Sequence, residues 1–184
     1  KIDDELIKEY KKKFNLNKKK LILYGGSSNG VNEIEHLEIL EKYLAKNRCD
    51  YEVIYRPHPW KIHLNNEKNF FQCKFKNIFF DPFSYDSYID NKNNIESKIY
   101  SSQSDELKIV LSAVDAVFTP FSTISLEAAI NKKAIGIYYP DDVSELDPTF
   151  ATVTKRIAIT EFISDMKPLI CTNKEELIKS FNAL

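Results

Sequence analysis

Short apolar runs alternate with amphipathic stretches along most of the chain. Leu21-Ile22-Leu23-Tyr24, Tyr51 to Tyr55, Asn77 to Phe80, Ala116 to Thr119 and Ala134 to Tyr138 have the length and the β-branched or aromatic content of strands. Lys167 to Cys171 offers a sixth. Helical periodicity fills the intervals: Ile34, Leu37, Leu40 and Leu44 follow the first strand, and Leu107, Val110, Leu111 and Val114 precede the fourth. Asn32 with Glu35 resembles a capping box, and Ser104 followed by Asp105 and Glu106 suits a helix start. A helix is predicted over Ser122 to Asn131, with Ser122 or Thr123 as its N-cap. A charged helix over Asp3 to Phe14 opens the chain, and Thr172 and Glu175 cap a last one. Residues 81 to 103 are polar and read as one long loop. His36 reads as a surface residue of the second helix. Strands this apolar, separated by helices, pair in parallel and are covered on both faces. The expectation is α/β: a Rossmann-like parallel sheet of five or six strands flanked by helices.

Composition narrows the function classes. With 184 residues, 43% hydrophobic and 29% charged, the chain suits a single ordinary globular core. A formal net charge of -1 argues against nucleic acid, whose binding draws on excess Lys and Arg. All but three of the 26 Lys+Arg are Lys, which makes Arg56 conspicuous. The Lys clusters at 11–13 and 18–20 read as a solvated face, with peripheral attraction to anionic lipid as the alternative. Cys49, Cys73 and Cys171 are scattered and odd in number, as expected of reduced thiols in a cytoplasmic protein. No apolar run approaches the length of a membrane span. Met166 is the one Met and does not open the chain, so the expectation is a piece of a longer protein.

Candidate chemistry gathers where strands end. Three of the four Gly, at 25, 26 and 30, fall in a turn with Ser27 and Ser28 just after the first strand. Glycine there allows close approach of backbone to a ligand, and the following helix start favours anions. The spacing is neither G-x-G-x-x-G nor a Walker motif; a tight turn without ligand is the alternative. Arg56-Pro57-His58-Pro59 closes the second strand, and its two prolines stiffen the backbone around His58. An imidazole and a guanidinium suit phosphate, with His63 a weaker candidate. After the fourth strand, Ser122, Thr123 and Ser125 offer hydroxyls, and Glu127 stands charged in an otherwise apolar helix, placed to accept ribose hydroxyls. Asp141 and Asp142 lack metal partners at recognisable spacing and read as a solvated loop.

The order of glycine turn, Arg-Pro-His-Pro and Ser-Thr-x-x-Leu-Glu-Ala-Ala resembles the C-terminal, donor-binding half of GT-B glycosyltransferases. The likeness is to CDP-glycerol glycerophosphotransferase-like, capsule and sialyltransferase-like enzymes of bacterial surface polysaccharides. It implies donor-phosphate contacts at His58-Pro59 and Ser122-Thr123 and a ribose contact at Glu127. It also implies a donor of CMP, CDP, UDP or GDP type and no metal or cofactor, since Arg, His and helix N-termini stabilise the leaving phosphate. On this reading residues 1–19 are a linker helix from a missing N-terminal domain, and residues 20–184 bind the donor. The missing domain would supply the catalytic base and the glycan acceptor, leaving the isolated piece inactive. Two alternatives stand beside it: a nucleotide-sugar 2-epimerase-like enzyme, and a non-catalytic nucleotide-binding or interaction module.

Overall fold

A computed structural model describes residues 3–14, 20–28, 31–59, 70–93, 104–120, 122–142 and 157–184. Its strands are β1 (Lys20–Gly25), β2 (Tyr51–Arg56), β3 (Ile78–Phe80), β4 (Ala116–Thr119), β5 (Ala134–Tyr138) and β6 (Leu169–Cys171). All five pairings are parallel, in the order β3-β2-β1-β4-β5-β6. The helices are α1 (Asp4–Lys12), α2 (Glu33–Leu44), α3 (Pro82–Asn93), α4 (Ser104–Ala113), α5 (Ile124–Ile130), α6 (Ile157–Met166) and α7 (Leu177–Ala183). The sheet is buried on both faces because its side chains alternate between two cores. Ile22, Tyr24, Val53 and Phe118 pack with α2 and α7, while Leu21, Leu23, Ile54 and Val117 pack with α1, α4 and α5. Tyr10 and Phe14 of the α1 segment are buried in the second core, against Phe83 and Phe79.

Several expectations change. Residues 82–93 form a helix rather than part of a loop. Asp81 is the reason: it takes the Ser84 N–H at 3.1 Å, and Pro82 is preorganised for a first helical turn. The remainder of that stretch, 94–103, lies outside the described residues, as do Gly30 and His63. Helix α6 has no counterpart in the sequence reading. His36 is fully buried, its ring 4.4 Å from that of Tyr138, because it lies on the same core-facing side of α2 as Glu33, Leu37 and Leu40. The last helical segment is capped by Asn173, which accepts from Glu176 N at 3.0 Å, instead of by Thr172 with Glu175. Asn32 does cap α2, accepting from Glu35 N at 3.4 Å.

Candidate functional site

This strand order reverses direction between β1 and β4, and open α/β sheets receive ligands outside the carboxyl ends of the strands at such a switch point. Two glycines let the loops there meet. A Cβ on Gly25, the last residue of β1, would lie 2.8 Å from Ile124 Cγ2 at the start of α5. On Gly26 it would lie 2.8 Å from His58 N and 3.1 Å from Pro57 Cα. Only hydrogen fits at either position, so the glycine turn touches both the Arg-Pro-His-Pro loop and the Ser-Thr helix start. The Gly26 N–H donates to the Arg56 carbonyl at 2.8 Å, which fixes the first of these contacts.

Some of these side chains are fully buried, and others are partly or fully exposed. Arg56 is buried and forms an ion pair with the fully buried Asp81. Asp81 also accepts from Ser84 Oγ and from the Tyr10 hydroxyl, each at 2.8 Å. Burial and the adjacent Asp81 push the Tyr10 hydroxyl well above the usual tyrosine value. Ser27 is buried, and both its N–H and its hydroxyl donate to Glu33 Oε1, at 2.8 and 3.3 Å. Ser125 is buried and donates to the Ser122 carbonyl at 2.7 Å. His58, Pro59, Ser28 and Ser122 are half-buried, and Thr123 and Glu127 are exposed. Thr123 holds the N-cap position of α5 without a side-chain cap bond, so its hydroxyl is not engaged by the helix. Among the described residues the Glu127 carboxylate makes no hydrogen bond or ion pair. Asp141 and Asp142 are exposed beyond β5.

Three residues here went unnoticed in the sequence. Asp81 carried a signal, the Asp-Pro pair after a strand, which is a helix-start pattern. Glu33 and Tyr55 carried none, since a Glu at a helix start and a Tyr in a strand are both commonplace.

No family model and no curated protein sequence matches the chain. Among solved structures, it is similar to the C-terminal CMP-Kdo binding domain of WaaA from Acinetobacter baumannii, with TM-score 0.54 and 14% identity over 98% of this chain and 89% of that one. It is also similar to the wall teichoic acid polymerase TagF, with TM-score 0.52 and 16% identity, covering 98% of this chain and 38% of that one. The likeness is one of fold: the chain has a Rossmann-like α/β architecture, a six-strand parallel sheet flanked by helices, consistent with one half of a GT-B fold.

Proposed function

We propose that this chain is the donor-binding half of a glycosyltransferase or glycerophosphotransferase that makes a bacterial surface polysaccharide. The observation that carries the proposal is the meeting of three strand-end loops at the β1/β4 switch point, with Gly25 against Ile124 and Gly26 against His58. In this reading His58, Ser122 and Thr123 hold the donor phosphates, and the outward Glu127 carboxylate accepts the ribose hydroxyls. A protonated imidazole and hydroxyl donors bind an anion without a metal. Ser28 and Pro59 line the approach. Gly25, Gly26, Ser27, Ser125 and Arg56 hold these groups in place from beneath. A CMP-Kdo binding domain of like fold supports a nucleotide-activated sugar as the ligand class. A second domain brings the acceptor and the base, so the chain alone binds donor without transferring it.

The test is a thermal-shift screen of CMP, CDP, UDP and GDP. A ligand at a hundred times its Kd stabilises by about 2.7 kcal/mol, a readily measured rise in Tm. One nucleotide raising Tm in wild type, and distinctly less in His58→Ala, is the expected result. A flat response to all four overturns the proposal.

A further inference from the structure

We propose that Glu33 is a positioning residue: its carboxylate clamps the glycine turn to β2 and thereby sets where His58 stands. The inference rests on the donor-site reading above and deepens it.

Glu33 is the first residue of α2 and is only 3% exposed. Burying a carboxylate is costly unless donors surround it, and here they come from two directions. Oε1 takes the Ser27 N–H at 2.8 Å and the Ser27 hydroxyl at 3.3 Å. Oε2 takes the Tyr55 hydroxyl at 2.8 Å. A Cβ on Gly26 would lie 2.7 Å from Oε2, so the turn lies directly against this carboxylate. Tyr55 immediately precedes Arg56-Pro57-His58, and the Arg56 carbonyl accepts from Gly26 N. One side chain thus links helix, glycine turn and the loop that carries the imidazole.

The clamp also decides what the glycine turn does. Its Gly26 and Ser27 N–H groups are directed to Arg56 O and to Glu33, so they are not offered to a phosphate. A buried carboxylate behind the turn further disfavours an anion there. The turn is therefore a spacer that holds the imidazole, and phosphate recognition falls to His58 and the Ser122-Thr123 side.

The experiment uses this chain and two readouts. The first, amide hydrogen exchange by NMR, needs no ligand. Glu33→Ala is expected to accelerate exchange at Ser27 at least tenfold and to shift the His58 amide resonance. Glu33→Gln, which keeps an acceptor for Ser27 N–H, stays near wild type. Tyr55→Phe gives an intermediate effect and serves where Glu33→Ala fails to fold. The second readout is the affinity for whichever of CMP, CDP, UDP or GDP binds, in a double-mutant cycle with His58→Ala. Glu33→Ala is expected to weaken binding about tenfold in wild type and less than twofold in His58→Ala, because its effect passes through the imidazole. Additive losses, or unchanged Ser27 exchange in both Glu33→Ala and Tyr55→Phe, overturn the inference. If no nucleotide binds wild type, the donor reading fails while the exchange readout still decides the clamp.

Discussion

Arg56 illustrates how burial redirects a side chain that looks made for a ligand. Its guanidinium sits against Asp81 under the loops, where the pair joins the end of β2 to the start of α3. The two partners are not equally dependent on each other. Asp81 retains donors from Ser84 N, Ser84 Oγ and Tyr10 if Arg56 is lost, whereas loss of Asp81 deprives those three donors of their acceptor and the buried guanidinium of an ion-pair partner at once. Asp81→Ala should therefore cost about 3–5 kcal/mol and Arg56→Met distinctly less, as read by urea denaturation. Equal losses would show the pair to be energetically symmetric. His36 gives a pH prediction. Burial, and secondarily the charge of Lys174, lowers its pKa from 6.5 to about 3. Between those values the unfolded chain binds a proton that the folded chain refuses, so stability falls as pH drops below 6.5. The slope contributed by one such proton is about 1.4 kcal/mol per pH unit. His36→Gln, which does not titrate, should flatten the decline between pH 6.5 and 4.5 while lowering stability at pH 7 through lost ring packing. A wild-type slope in that variant would assign the decline to other groups.

At the scale of elements, the chain stops helices without glycine. Its four Gly are at 25, 26, 30 and 136, and the turn from α5 into β5 instead puts Lys132 at φ 55°. A left-handed conformation costs an ordinary L-residue roughly 1–2 kcal/mol. Lys132→Gly should thus stabilise the protein by about 0.5–1 kcal/mol, the gain being limited by the added freedom of the unfolded chain. A loss of Tm in a thermal melt would mean that the Lys132 side chain contributes more than its backbone costs. The same turn sets the length of α5, seven residues long, which carries Ser125 and Glu127 on a segment anchored by buried Ala128.

For the molecule as a whole, strand order is what turns scattered motifs into a candidate site. Placing β1 beside β4 puts Gly25 against Ile124, although nearly a hundred residues separate them in the chain. On the proposed reading His58 just beyond the end of β2 contacts phosphate while Glu127 on α5 contacts ribose, so these two contributions separate experimentally. His58→Ala should weaken a bound nucleotide by about 1–3 kcal/mol, the worth of a lost charge-assisted bond, and leave the bare nucleoside unaffected. Glu127→Ala should weaken both ligands, and Glu127→Gln should lose less, because an amide oxygen still accepts one hydroxyl. Calorimetry at one near-neutral pH compares them, since imidazole changes charge in that range. Identical affinities across the variants would reduce these residues to turn formers.

The α/β architecture and its parallel sheet were legible in the sequence because they follow from local pattern. Apolar runs of strand length announce burial on both faces, and β4 and β5 fall where the pattern ends at Thr119 and Tyr138. The glycine turn, Arg-Pro-His-Pro and Ser-Thr motifs were legible too, since backbone chemistry marks the ends of strands. Where a polar side chain points was not legible, because partners far apart in sequence decide it. Tyr10 reaches Asp81, Tyr55 reaches Glu33 and Tyr24 reaches His36 at 2.8 Å each, and each contact turns a residue of surface appearance into part of a buried network. Helix α3 escaped the pattern because its few apolar residues are spread among polar ones without a continuous stripe, and an Asp-Pro start opens it. Local pattern therefore determined which residues lie at the ends of strands. Only the packing of one loop on another decided which of them face outward and which are held beneath, because a buried polar group must find its donors wherever the fold brings them.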